Sequence, residues 1–265
     1  MYADDTVIYY SDNTTEAIQN NLQNDFRSLS TYMYSNELIM NLKKGKTEIM
    51  LFGTDQRIRR QENQSIIIQH NYHTVTMTKS YKYLGVLLTS SLNMTDHLNA
   101  TIKKASSRVH LLRKMRSHMD TKTAKLIYQS MIAPILTYCP LALYGSIPPY
   151  LKSKINALEV RAQSIIGPEK VVESEVINKK RLCIFVHKCL HGNEFDEHFK
   201  DYFKFKKTTV TTRDNGTKII VQRTKLEVAR KSAFYQGAIL FNLLPKELRT
   251  INDLSEFKSS LDNFF

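Results

Sequence analysis

Tyr2-Ala3-Asp4-Asp5 places two adjacent carboxylates immediately before a β-rich run, Thr6-Val7-Ile8-Tyr9-Tyr10. Carboxylate oxygens are hard ligands that suit Mg2+. Phosphoryl transfer to a hydroxyl uses two such ions, about 3.5 to 4 Å apart, to stabilise the attacking and leaving oxygens. A short turn between strands would hold the pair rigidly enough for that task. The same dipeptide is also common in ordinary turns, because Asp hydrogen-bonds its own backbone there. Four residues alone do not separate the two readings.

A second group of chemically capable residues is basic. Lys103, Lys104, Arg108, Arg113, Lys114 and Arg116 fall in a segment almost without acids. Such a row can track a phosphate backbone and give a salt-dependent affinity, or it can simply solvate a helix face. The stretch Lys200 to Lys207 interleaves Tyr202, Phe203 and Phe205 with cations. That pattern allows stacking on single-stranded nucleic acid if the rings are exposed, and core packing if they are not. Cys183, His187, Cys189 and His191 invite a zinc reading. The five-residue gap between the thiols fits zinc spacing poorly, and buried thiols on a core helix are the competing account. Neither a Gly-rich phosphate loop nor a Gly-x-Ser-x-Gly nucleophile motif is present.

These residues need elements to position them. Ile18, Leu22, Phe26, Leu29 and Met33 recur at helical spacing, so an amphipathic helix is expected over 14–35, opened by a capping box of Asn13 and Glu16. Segments 38–40, 47–52, 65–69 and 81–88 read as strands. Leu98, Ile102, Ala105, Val109, Leu112 and Met119 give the basic segment 96–119 an apolar stripe, with Thr95 as its cap. Further helices are expected at 121–133, from Pro148-Pro149 to Gly167-Pro168, and at 171–191. The run 210–221 reads as a hairpin turning at Asn215-Gly216. Beyond 226 the chain reads as helical, its last helix capped by Asp253 with Glu256. The fold class expected is α+β.

Composition sets the partner class. A net charge of +13 and a pI near 9.5 favour polyanions, nucleic acid first among them. Three cysteines and no secretory signal point to a reducing compartment rather than a disulfide framework. No apolar run reaches membrane-spanning length, so a soluble chain with no membrane partner is expected.

The order of motifs resembles the LINE-type (non-LTR, jockey-like) retrotransposon reverse transcriptases. After Tyr-Ala-Asp-Asp come Glu37-Leu38-Ile39-Met40-Asn41, Gly45-Lys46-Thr47-Glu48-Ile49-Met50-Leu51-Phe52, Tyr81-Lys82-Tyr83-Leu84-Gly85-Val86, and His97 at the head of the basic helix. The likeness continues through Tyr128-Gln129-Ser130 and Pro134-Ile135-Leu136-Thr137-Tyr138 to Gly145, with Leu244-Pro245-Lys246-Glu247-Leu248-Arg249 late in the chain. It implies a truncated palm sheet with a primer-grip hairpin over 1–92, thumb-like helices over 93–147, and an α-rich region with one hairpin over 148–265. It implies RNA-directed DNA polymerisation on an RNA template with a DNA primer. Asp4 and Asp5 would be catalytic ligands of Mg2+, and Lys46, with Lys44 as competitor, would approach nucleotide phosphates. Tyr83, Leu84 and Gly85 would hold the primer end, and the basic helix would contact nucleic acid. Family enzymes complete the metal site with an earlier aspartate and carry fingers upstream. Because the chain opens at the turn itself, it is expected to be inactive alone. The competing expectations are a non-catalytic nucleic-acid-binding remnant and a decayed transposon fragment without a cellular role. A protein of this kind is expected inside the cell, in nucleus or cytoplasm.

Overall fold

The computed structural model describes residues 5–43, 45–60, 66–70, 72–192, 199, 201–206 and 216–265. The chain is α+β and divides into two units, Met1–Asn93 and Met94–Phe265.

In the first unit, α1 (Thr15–Ser35) starts at Thr14, whose hydroxyl accepts from the Ala17 N–H at 3.3 Å. The expected Asn13 cap is displaced by one residue; Asn13 instead donates its own N–H to the Asp12 carboxylate. The helix ends where Glu37 takes a left-handed φ of 58° and the Leu38 N–H reaches back to the Met33 carbonyl. That six-to-one closure satisfies an orphan carbonyl. It also carries Leu38–Met40 away without a ladder partner, so the strand expected there does not form and Ile39 stands exposed. Phe26 packs on a hairpin of β1 (Ile68–His70) and β2 (His73–Val75), against Ile68 and Val75. Strand β1 would otherwise leave an open edge. The Gln23 amide closes it, donating to the Gln69 carbonyl at 2.9 Å and accepting its N–H at 2.8 Å, while Gln19 accepts from Ile67.

A second hairpin joins β3 (Ser80–Tyr83) to β4 (Val86–Thr89), with Tyr83 opposite Val86. Its two turn residues, Leu84 and Gly85, have φ of 44° and 83°. Positive φ at both central positions is the type I′ condition, which matches the strand twist. The segment expected as a strand over 47–52 contributes a single parallel bridge, Ile49 to Met77. A short helix, α2, spans Asp55–Arg60.

The second unit holds two apolar cores. In the first, α3 (Thr95–Met115) contributes Ala105, Val109 and Leu112, and α7 (Pro149–Ile166) contributes Leu158, Ala162 and Ile166. Between them runs a bent rod: α4 (Thr121–Ile127), a π turn (Tyr128–Ile132) and α5 (Ala133–Leu136). Pro134 lacks an N–H and would clash with a carbonyl four residues back in a regular helix. The π register, in which Ala133 N–H bonds the Tyr128 carbonyl, absorbs that break. Leu112 is 1% exposed, so its truncation to Ala would cost about 2–5 kcal/mol through a cavity. A short α6 (Pro140–Leu143) precedes α7.

The second core surrounds α8 (Ser174–His191). Cys183, Val186 and Cys189 meet Phe241 of α10 (Ala233–Leu243) and Phe257 and Leu261 of α12 (Leu254–Phe264). The brief α9 (Glu227–Lys231) and α11 (Lys246–Arg249) complete this region. Asp253 caps α12 as expected, its carboxylate accepting from Glu256 N–H at 2.8 Å. The run 210–221 is described only from Gly216, so the Asn215-Gly216 turn and its first strand lie outside the described residues. The segment around Ile219 pairs instead with Phe205, through Lys206 N–H to Lys218 O and Ile220 N–H to Lys204 O. The Asn242 amide grips Ile219 at both backbone groups, each at 2.9 Å.

Among the described residues no single helix is long and apolar enough to cross a membrane. Thr121–Leu136 with Pro140–Ser146 reaches that length only as a pair bent by 46°, and its apolar residues serve the first core.

Candidate nucleic-acid interface

α3 buries one stripe and leaves the rest of its circumference to solvent. At 100° per residue, Lys103, Ser107, His110 and Lys114 fall opposite the buried Ala105, Val109 and Leu112. Lys104 and Arg108 lie on one flank of that arc, and Ser106 and Arg113 on the other. The helix carries five cations beyond the histidines (Lys103, Lys104, Arg108, Arg113 and Lys114) and one acid, Asp96. Among the described residues none of these five forms an ion pair. Lys103, Lys104, Arg113 and Lys114 are exposed and Arg108 is half-buried.

Arg116 does not belong to this row. Its guanidinium turns along the end of α3 and donates to Ile165 O at 2.8 Å, Met119 O at 2.7 Å, Ile166 O at 3.3 Å and the Thr121 hydroxyl at 3.2 Å. The last carbonyls of α7 lack intrahelical partners, and a cation suits the negative end of a helix. Arg116 is therefore a clamp between α3 and α7 and not a solvent-facing charge.

The two helices leave a shallow cleft of about 100 Å³ lined by Ser106, Val109, His110 and Arg113 from α3 and by Arg161 and Ile165 from α7. Arg161 is exposed and forms no ion pair among the described residues. The one acid of α7, Glu159, points inward instead. Its Oε1 accepts the Ser174 N–H at 2.8 Å and the Tyr128 hydroxyl at 3.4 Å. Burial pushes the Glu159 carboxyl above the usual carboxylate range, and also pushes the Tyr128 phenol up. Among the described residues no carboxylate lines the cleft beside the arginines.

In the first unit Asp4 and Lys44 lie outside the described residues. Asp5 and Lys46 are exposed. The Tyr81 hydroxyl donates to the Lys46 carbonyl at 3.4 Å, which brings the Lys46 loop to the base of the β3–β4 hairpin. Tyr83 is half-buried; Leu84 and Gly85 form the exposed turn. Among the described residues no three His, Cys, Asp or Glu side chains converge on a point that could hold a metal ion.

No family model, no curated protein and no solved structure matches this chain.

The other chemically suggestive groups are structural. Lys200 and Lys207 lie outside the described residues. Phe203 is buried in the second core, Tyr202 is exposed on one side and stacks on Phe234 with centroids 4.1 Å apart, and Phe205 is exposed. Cys183 and Cys189 are buried in it, and burial pushes their thiols up to about 12 and about 11. His187 donates Nε2–H to the Ile251 carbonyl at 2.9 Å and lies flat on Phe257, centroids 4.3 Å apart. Burial holds its imidazole below the ordinary range. Arg161 and His110 were not singled out by sequence. Helical spacing puts Arg161 on the solvent side of α7, but its meeting with Arg113 needs the packing of two helices.

Proposed function

We propose that this chain handles nucleic acid as part of a LINE-type reverse transcriptase, its α3 face running along the phosphate backbone of a template–primer duplex. The observation that carries the reading is the row of five cations on α3 that no ion pair neutralises among the described residues. Protein cations left unpaired at the surface displace counterions from a polyanion, and that release drives binding. Supporting it are the net charge of +13 and the order of motifs from Tyr2 to Gly145. In the same reading Asp4 and Asp5 belong to the Mg2+-holding palm turn, Lys46 to nucleotide phosphates, and the strained Leu84-Gly85 turn to the primer end. Nucleic-acid binding is the activity put to the test for the chain alone.

The test is the salt dependence of affinity for a labelled RNA–DNA hybrid, read by fluorescence anisotropy. Five phosphate contacts at a slope of about −0.9 each predict roughly a 500-fold loss of affinity between 50 and 200 mM salt. The triple variant K103Q/K104Q/R108Q should flatten the slope by about three contacts' worth. A wild-type slope near zero, or a triple variant with unchanged slope, sinks the reading. Templated primer extension by the purified chain would show catalysis beyond binding.

A further inference from the structure

We propose that the cleft between α3 and α7 seats one phosphate group of the bound strand, held between the guanidinia of Arg113 and Arg161. This inference rests on the nucleic-acid reading and extends its footprint from one helix onto a second. Four observations carry it. Arg113 and Arg161 line the same cleft from opposite helices. Neither forms an ion pair among the described residues, although the nearby Arg116 spends its guanidinium on four acceptors. The cleft also offers the Ser106 hydroxyl and the His110 ring, while Val109 and Ile165 close its floor. Its only candidate counter-charge on α7, Glu159, is turned into the core and held by Ser174 and Tyr128.

Guanidinium forks match phosphate oxygens in pairs, which a lysine does not. Two forks facing one cleft therefore select a tetrahedral oxyanion over a chloride or an isolated carboxylate. The Arg116 clamp fixes α3 against α7 at one end of the cleft, so the forks are held apart by packed backbone. Each is presented from a helix that is rigid in its own core. A phosphodiester and a free phosphate share this chemistry, and the experiment separates them.

The measurement is the binding of the same labelled RNA–DNA hybrid to the full chain, across salt, for wild type, R113Q, R161Q, R113Q/R161Q and R161K. R161Q should lower the salt slope by about one contact, and R161K should restore most of it. Because both arginines grip one phosphate, R113Q/R161Q should weaken binding by clearly less than the product of the single losses. Inorganic phosphate, exchanged for chloride at constant ionic strength, should compete with the hybrid on wild type and not on the double variant. Arg161 is exposed, so the far-UV circular dichroism melt should not move and loss of binding cannot be blamed on unfolding. A slope unchanged in R161Q overturns the strand phosphodiester. If phosphate still competes in that case, the cleft takes free phosphate and the extended footprint is wrong. Losses that multiply fully in the double variant overturn the shared site. If K103Q/K104Q/R108Q flattens the slope and R161Q does not, the cleft fails and the α3 reading stands. A wild-type chain that does not bind the hybrid removes both.

Discussion

Replacing Arg116 separates a charge that holds the fold from charges that meet a ligand. Arg116→Gln removes a guanidinium that makes four hydrogen bonds, three of them to carbonyls: Met119, Ile165 and Ile166. Two of those carbonyls end α7 and have no intrahelical donor. A hydrogen bond to a charged group contributes about 1.5–3 kcal/mol net to stability. Arg116 is half-buried, so water replaces part of what is lost, and glutamine retains one donor group. A net destabilisation of about 2–3 kcal/mol follows, nearer the yield of one strong bond than of four. For a unit of this size that lowers the midpoint of thermal unfolding by about 4–12 °C. Circular dichroism at 222 nm reports it, because the helices dominate the second unit. The companion measurement is the salt slope of hybrid binding, which R116Q should leave within error of wild type below the melting range. If R116Q melted like wild type and lost a full contact's worth of slope, Arg116 would be a ligand contact and the clamp would be wrong.

Glu159→Gln should change how stability depends on pH. Burial raises the folded-state pKa of Glu159 above its unfolded value, so the folded state holds the proton more tightly. Wild-type stability from this group is full below the unfolded pKa and declines as pH rises through the raised folded value. The advantage of E159Q over wild type should therefore grow from pH 4 upward in urea titrations; a constant offset would refute the assignment. Leu84→Asn should stabilise the β3–β4 hairpin by about 1 kcal/mol, since a left-handed backbone is costly for Leu and tolerated by Asn. Slower amide exchange at Tyr83 and Val86 would show it, and faster exchange would mean that the Leu84 side chain packs more than its backbone strains. Ellman's reagent at pH 8 should titrate Cys139 in the folded chain and leave Cys183 and Cys189 unreacted, because burial keeps both as thiols. Rapid reaction of either buried thiol would contradict their packing against Phe241 and Phe257.

Local patterns foretold the elements that stabilise themselves. The apolar stripes of α1, α3 and α7 repeat over several turns, and Asp253 with Glu256 is a self-contained cap. Where two neighbours compete for one task, the reading slips by a residue: Thr14 caps α1 in place of Asn13, and Met94 precedes α3 in place of Thr95. Strands were the weak point, because a strand exists only through its partner. Leu38–Met40 has the composition and no ladder, whereas Phe205 pairs with Ile219 across a separation no short-range signal reveals. The site follows the same rule. The charges of α3 are countable in sequence. That Arg116 turns inward while Arg161 comes up beside Arg113 depends on how two distant helices pack.

The π turn at Tyr128–Ile132 carries one residue more than the same stretch of regular helix would need. Deleting one of these five would let the rod continue in ordinary α register, the residues beyond it keeping their facing because the π turn absorbs the extra residue. Pro134 would then be driven into an unbroken ladder, against the carbonyl four residues before it. Length at this point is thus as tightly specified as side-chain identity is elsewhere. The exposed Gln129, Ser130 and Met131 should therefore tolerate substitution far better than loss, and a deletion scan through them should show that asymmetry as lost stability.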